Sequence, residues 1–176
     1  KSDGNAQVLL VSTGHATNLA IQAAEIISQG KRTAPENATP ETETTRSANN
    51  GEMKTNEAMY HHLHVPVLQW YASDNGLSAL ATEKIPALLQ KYSHIITVED
   101  GCIQGGWGEG LVETISHYLE KSLSNHKAHS KPQFQHLGIP HDFIEHGNNE
   151  EVLYHRCGYA PEDIAQAIIT AASTKH

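Results

Sequence analysis

The sequence predicts an α/β fold, in which a mostly parallel β-sheet carries helices on both of its faces. Apolar runs of strand length alternate along the chain with segments of helical periodicity, each roughly 10 to 15 residues long. This alternation is typical of strand–helix–strand units, whose right-handed crossovers bring the carboxyl ends of the strands to one edge of the sheet. Ligand sites of such sheets usually lie at that edge, so we look there for candidate functional residues.

The predicted strands are apolar runs bounded by turn-forming residues. The first strand ends in Ser12, Thr13 and Gly14. The second contains Pro66 near its start, which places it at an edge of the sheet or makes Pro66 one of its first residues. The predicted strands cover residues 7–13, 64–71, 94–99 and 132–137.

The predicted helices combine apolar residues at helical spacing with start and stop signals. Gly30 ends the first helix, and Asn149 and Gly158 are the N-cap and the C′ residue of the fourth. Pro161 fits the first turn of the last helix. The predicted helices cover residues 17–29, 77–92, 108–121, 149–157 and a final segment from residue 161. Their buried faces contain Leu19, Ala20, Ala23, Ala24 and Ile27 in the first helix and Ile164, Ala167, Ile168 and Ala171 in the last.

The 176 residues are predicted to form a single domain, residues 1–176, with a polar insertion at about residues 30–60. The insertion is rich in Thr, Glu, Asn and Ala and has no hydrophobic periodicity, so it cannot contribute much to a core. The chain opens on Lys1 and not on Met. We expect this of a processed chain or of a domain that belongs to a longer protein.

The charge balance argues against a nucleic-acid or membrane partner. Acidic residues exceed basic ones, with a formal net charge of −8, whereas phosphate binding requires clustered Lys and Arg. No apolar run reaches membrane-spanning length and no leader pattern is visible, so a cytoplasmic location is expected. Cys102 and Cys157 form no close pair and are interpreted as reduced thiols. The 13 histidines outnumber Lys and Arg together, so we ask whether they carry chemistry.

Two groups of residues at predicted strand ends could form a ligand-binding edge. Glu99 with His15 forms an acid–base pair if their strands are neighbours, or else Glu99 fixes a turn by hydrogen bonding. Gly105, Gly106 and Gly108 precede a helix and could offer N–H groups to an anion. The alternative for the glycines is tight packing of a turn against the sheet.

Two histidine patterns stand out among the 13. In the cluster of His61, His62 and His64, the last two would share one face of a strand. One interpretation of this pattern is a metal site. No carboxylate or Cys lies at a useful spacing, so a solvated cluster is the alternative. His146 is predicted to be a buried, hydrogen-bonded histidine, and Gly147 beside it indicates special backbone geometry.

Several sequence blocks occur in an order that is typical of one protein family. They read IITVEDG at 95–101, GGWGEG at 105–110, LGIPHDFIEHG at 137–147 and LYHRCG at 153–158. Together they resemble the C-terminal domain of the transketolase superfamily, and within it 1-deoxy-D-xylulose 5-phosphate synthase, which carries V-E-E-G, G-G-x-G and G-[LI]-P-D-x-F-x-x-H-G in this order. The resemblance covers roughly residues 5–29 and 64–173. The chain departs from the family at 72–76, where the K-P-[LI]-D turn is missing, at His141, and in the insertion at 30–60.

The resemblance implies a three-layer α/β/α sandwich around a mixed, mostly parallel five-stranded sheet. It also implies one part of a thiamine-diphosphate-dependent transferase of isoprenoid biosynthesis, which joins pyruvate to glyceraldehyde 3-phosphate with loss of CO₂. In that family the cofactor, Mg²⁺ and the catalytic residues belong to other domains, so no catalytic, cofactor or metal residue is carried over. This domain is expected to support those domains and a homodimer and to be inactive alone. The family's structural and interface signature falls on Glu99, Gly105, Gly106, Gly108, Pro140, Asp142, Phe143, His146 and Gly147.

Two alternatives remain open at this stage. The β subunits of 2-oxo acid dehydrogenases end in the same fold and dock an acyltransferase core there, although the block at 137–147 argues against them. A small enzyme or metal-binding module that uses His15, Glu99 or the cluster of His61, His62 and His64 is the other.

Overall fold

The sheet of the protein consists of parallel strands, as the sequence predicts. A computed structural model describes residues 7–30, 59–65, 88–89, 91–113, 116 and 132–174. The strands are β1 (Val8–Ser12), β2 (Tyr60–His64), β3 (His94–Cys102) and β4 (Gln133–Ile139). They form one sheet in the order β2-β1-β3-β4, and all three pairings are parallel. The predicted α/β class with a parallel sheet is therefore confirmed.

The helices begin and end close to the positions that the capping residues indicate. They are α1 (Ala16–Ser28), α2, which begins at Trp107 and is described over residues 107–113, α3 (Glu150–Cys157) and α4 (Pro161–Ser173). The Asn149 side chain accepts a hydrogen bond from the Val152 N–H at 3.0 Å and caps α3, while Gly158 ends it with φ of 73°. None of the described helices combines the length and the apolarity that a membrane crossing needs.

Each face of the sheet packs against its own apolar cluster, because successive strand residues point to opposite faces. On one face, Val8 and Leu10 of β1 meet α1 and α4, which pack against each other. On the other face, Leu9 and Val11 meet the first turns of α2. The predicted inward residues of α4 are all buried. The first cluster includes Leu19, Ala20, Ala23, Ile96, Val98, Tyr159, Ile164 and Ile168, and the second includes Val65, Leu89, Ile95, Trp107 and Leu111.

The second strand lies earlier in the chain than the sequence predicts. The apolar pattern predicts residues 64–71, of which residues 66–71 lie outside the described residues, whereas the described strand β2 covers Tyr60–His64 and pairs with β1 from Val8↔Tyr60 to Ser12↔His64. Three of its five residues are histidines, and only Tyr60 and Leu63 are half-buried. The strand is at the end of the described sheet, where one edge has no described neighbour, so few apolar residues mark it.

The remaining element boundaries shift modestly or lie outside the described residues. β3 continues to Cys102, beyond the predicted end at residue 99, and β4 continues to Ile139. Of the insertion predicted at about residues 30–60, residues 31–58 lie outside the described residues, and Tyr60 at its end already belongs to β2. Of the predicted helix at 77–92, residues 88–89 are described and are helical, whereas Lys91 and Tyr92 are described and are not helical, so the helix ends before the predicted residue 92.

Candidate functional site

Glu99 lies near the C-terminal end of β3, an inner strand of the sheet. It lies in an irregular stretch of β3, where the register with β4 shifts between Val98 and Cys102. Its side chain is buried, at 6% exposure, and its carboxylate accepts hydrogen bonds from the N–H groups of Trp107 at 2.8 Å and Gly108 at 3.1 Å. These N–H groups begin α2 and have no partner within the helix. A carboxylate there also complements the positive end of the helix dipole.

The backbone N–H groups of the glycine turn before α2 bind carboxylates of the protein itself, so they are not available to an external anion. The Gly105 N–H donates to Glu109 Oε2 at 2.8 Å, and the N–H groups of Trp107 and Gly108 donate to Glu99. A Cβ on Gly106 would lie 2.6 Å from Glu99 Oε1, and one on Gly108 would lie 2.5 Å from Thr97 Oγ1. The interpretation of these glycines as an anion cradle is therefore wrong, since the anions are the protein's own side chains.

A histidine and a threonine close the other side of Gly108. Thr97 is fully buried, and its Oγ1 lies 2.7 Å from Nδ1 of the half-buried His136. Burial lowers the pKa of His136, an effect that the negative charges of Glu99 and Glu109 partly oppose. No sequence pattern indicates this pair, because the two residues meet only when β3 and β4 are aligned.

His15 and Glu99 do not form the predicted pair. Their strands are neighbours, as the prediction requires, but both oxygens of Glu99 are bound to the start of α2. His15 is exposed at the N-cap of α1, and its ring centroid lies 6.2 Å from that of Tyr154. The second interpretation of Glu99, a hydrogen-bonded carboxylate that fixes a turn, describes the geometry.

The loop after β4 presents an exposed aromatic ring. The Asp142 N–H donates to the Pro140 carbonyl at 2.8 Å, and the Phe143 N–H donates to Asp142 Oδ1 at 2.7 Å. These bonds shape a tight turn. Phe143 follows the turn and is 84% exposed, the highest value among the exposed large apolar side chains of the described residues. At this exposure the ring is accessible to another protein segment.

His146 is exposed, so its prediction as a buried histidine is wrong. Its carbonyl, and that of Glu145, accept hydrogen bonds from Arg156 Nη1 at 2.8 Å each. The backbone of this loop is thus tied to α3, and the imidazole stays outside. Gly147 has no positive φ, so the predicted special backbone geometry is not of the left-handed kind; a Cβ there would lie 3.1 Å from Leu153 Cδ2, a tight contact.

A cleft of about 380 Å³ lies between this loop, α3 and the ends of β3 and β4. Asp100, Glu145 and Glu150 supply carboxylates to its walls, and Tyr154 and Tyr159 supply aromatic rings. Burial, together with the nearby Asp100 carboxylate, which accepts a hydrogen bond from the Tyr159 hydroxyl, strongly raises the pKa of Tyr159. Sequence reasoning missed Asp100, Tyr154 and Tyr159 as lining residues, although the block at 153–158 contains Tyr154.

The three histidines of β2 point to opposite faces of the strand. His61 Nδ1 lies 2.8 Å from the Tyr92 hydroxyl on one face. His62 and His64 share the other face, as predicted, and meet Ser12 and Thr17. The cluster therefore does not converge on one point. Across the described parts of the chain, no group of three or more His, Cys, Asp or Glu is arranged to hold a metal ion.

The described residues do not fit thiamine diphosphate or its Mg²⁺. The glycine turn before α2 is the feature most like a diphosphate cradle, yet its N–H groups are bound to Glu99 and Glu109. A diphosphate placed there would face these carboxylates and would have to displace them. We therefore assign no cofactor role to this edge.

Comparison with known proteins finds relatives by sequence over about half of the chain. No family model matches. The 1-deoxy-D-xylulose-5-phosphate synthase of Cytophaga hutchinsonii is 36% identical over 86 residues, which is 49% of this chain and 12% of the relative. The enzymes of the same name from Bacteroides fragilis and Shouchella clausii are 34% and 33% identical, over 52% and 57% of this chain and 12% and 14% of their own lengths. The chain thus matches only about one eighth of each curated relative, and the resemblance expected from the sequence blocks is confirmed.

A solved structure shares the fold over nearly the whole chain. It is described as a split gene transketolase, an inactive beta4 tetramer, and superposes with a TM-score of 0.56 at 15% identity. The match covers 98% of this chain and 41% of that chain. At this identity the likeness establishes the α/β fold.

Proposed function

We propose that this chain, a homologue of one segment of the 1-deoxy-D-xylulose-5-phosphate synthases, is the C-terminal supporting domain of such an enzyme. The observation that carries the proposal is the extent of the match, which takes in about half of this chain but about 12% of each relative. In those relatives the matched segment is one part of a longer enzyme. The fold likeness to a transketolase chain, of which this chain covers 41%, supports the same interpretation.

In this proposal the reaction belongs to the assembled enzyme. The parent transferase would join pyruvate to glyceraldehyde 3-phosphate on thiamine diphosphate and release CO₂, with the cofactor and Mg²⁺ held by other domains. The occupation of the glycine turn by Glu99 and Glu109 supports this division, because it removes the anion cradle from this chain. We expect the chain alone to be inactive.

The partners in this proposal are the other domains of the enzyme and a second subunit of a homodimer, and we expect a cytoplasmic location. Phe143 and the turn of Pro140 and Asp142 would form part of the covered surface. The interface role of this signature, shared with His146 and Gly147, is supported by the exposure of Phe143 at 84%. We also propose that a fifth strand completes a three-layer sandwich, and that residues 1–176 form one domain with an insertion at about 30–60.

A domain replacement tests the proposal directly. The segment of the Bacteroides fragilis synthase that matches this chain would be replaced by residues 1–176, and turnover and subunit association would be measured. We expect the chimera to associate and to make product from pyruvate and glyceraldehyde 3-phosphate, whereas the enzyme without the segment does not. Phe143→Ala should weaken association, because it removes an exposed apolar anchor. Ile21→Ala, on exposed α1 surface, is the matched control and should have no effect.

Two outcomes would argue against the proposal. One is a chimera that is folded by circular dichroism but neither associates nor turns over. The other is micromolar binding of thiamine diphosphate by the isolated chain in calorimetry. Retention of the chain by an acyltransferase subunit-binding domain in a pull-down would favour the dehydrogenase alternative instead.

A further inference from the structure

Four polar side chains form a continuous hydrogen-bonded chain between β2 and the start of α1. His62 Nε2 lies 2.7 Å from Ser12 Oγ, and the Ser12 hydroxyl donates to Thr17 Oγ1 at 3.1 Å. Thr17 Oγ1 in turn lies 2.9 Å from His64 Nδ1. Ser12 is fully buried, whereas His62 and His64 at the ends are exposed residues, although the His62 ring is partly covered. Two solvent-facing rings are therefore joined through two hydroxyl groups, one of them inside the protein.

The number of available hydrogens determines which group donates in each bond and which tautomer each ring adopts. Each hydroxyl has one proton, so three bonds need one further donor, which must be one of the two rings. When Ser12 donates to Thr17 and Thr17 donates to His64 Nδ1, His62 must donate through Nε2–H, so both neutral rings carry their proton on Nε2. Reversal of all three bonds places both protons on Nδ1. If both rings accept, the Ser12–Thr17 bond has no hydrogen. If both rings donate, Thr17 accepts twice, and the three bonds no longer run in one direction along the chain, as a relay requires.

We propose that Ser12, Thr17, His62 and His64 form a proton relay in which the two imidazoles share one excess proton. The transfer balances without any other reactant. The Nε2 proton of His62 moves to Ser12 Oγ, the Ser12 proton moves to Thr17 Oγ1, and the Thr17 proton moves to His64 Nδ1. The positive charge passes from one ring to the other, and each hydroxyl regains a proton. This inference does not depend on the proposed function.

Few other titratable groups in the described part of the chain lie near the relay, so the excess proton is shared between the two imidazole rings. Within the described residues, β1 contributes Ser12 and no titratable side chain, and α1 contributes Thr17, with His15 at its N-cap and Glu25 towards its other end. On β2 itself, Tyr60 lies on the same face and His61 on the opposite one, where it meets Tyr92. Partial burial and the charge of His64 both lower the pKa of His62, which is consistent with one proton for two rings.

Tautomers read by ¹⁵N NMR on the full histidine-labelled chain test the relay. At about pH 8, where unperturbed histidine is neutral, wild type should show both rings as the Nε2–H tautomer. Thr17→Val keeps the shape but removes the hydroxyl. Ser12 then loses its acceptor and turns to donate to His62 Nε2, so the His62 proton should move to Nδ1 although the substituted side chain has no bond to that ring. His61 on the opposite face is the internal control and should not change.

A pH titration of the same samples gives a second readout. In wild type we expect the signals of both rings to follow each protonation step, and in Thr17→Val we expect each ring to follow one step. Ser12→Ala interrupts the relay at its other link and should likewise separate the two responses. Opposite tautomers in the wild-type rings would overturn the proposal, and so would a His62 spectrum that Thr17→Val leaves unchanged while the amide spectrum shows an intact fold.

Discussion

At the scale of single residues, the carboxylate of Glu99 organises the turn that joins β3 to α2. It supplies the acceptors for the first N–H groups of α2, and Gly106 and Gly108 leave the space that it occupies. At both glycines a Cβ would meet side-chain oxygen atoms closer than real Cβ contacts allow. Glycine is required at Gly106 because the Cys102 carbonyl and the Glu99 carboxylate leave no space for a Cβ, and at Gly108 because Thr97 and His136 leave none. Gly105, with φ of 71°, instead needs a left-handed backbone.

Removal of the Glu99 carboxylate should cost stability out of proportion to its size. Glu99→Ala leaves two N–H groups at the buried start of α2 without acceptors, so we expect a loss of about 1–3 kcal/mol in the free energy of unfolding. Glu99→Gln keeps one acceptor oxygen and should lose less. The measurement is urea unfolding followed by circular dichroism.

Glu109 provides the matched control. Its carboxylate accepts one bond from Gly105 but is exposed, so Glu109→Ala should change stability by no more than about 0.5 kcal/mol. Equal losses for Glu99→Ala and Glu109→Ala would contradict the central place of Glu99.

At the scale of elements, local signals identify the ends of α3 and the start of α4, but they do not identify every strand. Asn149, Gly158 and Pro161 mark helix ends through bonds and backbone angles of their immediate neighbours, and all three positions are confirmed. The prediction misplaces β2 because His61, His62 and His64 replace the apolar residues that reveal a strand. Its assignment depends on pairing with β1, which lies far away in sequence.

The difference between local signals and contacts of distant residues also explains what can be predicted of the site. The edge of the sheet and Glu99 are identifiable because they follow an apolar run and adjoin a glycine cluster. The partners of Glu99 are not, since hydrogen bonding of a carboxylate back to a helix start depends on the irregular register of β3. The glycine that follows His146 suggests a constrained, buried position. The constraint acts on the backbone, whose carbonyl accepts a hydrogen bond from Arg156, and the imidazole ring stays exposed.

The N-cap of α3 should contribute measurably to stability. Asn149→Ala removes the acceptor of the Val152 N–H, so we expect a loss of about 1 kcal/mol in urea unfolding and faster amide exchange at the start of the helix. Asn149→Asp keeps a capping oxygen and should stay close to wild type. If the alanine and aspartate variants unfold alike, the cap does not hold this end of α3.

At the scale of the whole molecule, histidine titration links stability to pH. The chain has 13 histidines against 12 Lys and Arg, so its charge changes steeply near neutrality. His62 and His136 have a pKa lowered from 6.5 by burial, which means that the folded chain binds their protons less tightly than the unfolded chain does. Their contribution to stability is complete above pH 6.5 and is lost as the pH falls from 6.5 through the lowered values.

We therefore expect the free energy of unfolding to fall between about pH 7 and pH 5, and His136→Asn to reduce the slope. The quantity to compare is the slope, because loss of the Thr97 contact lowers stability at every pH. Urea unfolding at a series of pH values measures it. The exposed His141→Asn is the matched control and should keep the wild-type slope. Identical slopes for His136→Asn and wild type would contradict the assignment.

The parallel order of the four strands also has a kinetic consequence. Every pairing in the described sheet joins distant parts of the chain; the bond from the Ser93 hydroxyl to the Gln7 carbonyl, beside the β1–β3 pair, spans 86 residues. Closing such large loops costs conformational entropy, which is offset only after the strands have paired. Parallel sheets built from non-local pairs consequently fold slowly, and their strand edges stay open to other chains meanwhile. During synthesis, β1 and α1 must wait for β3, so the core of this protein assembles late.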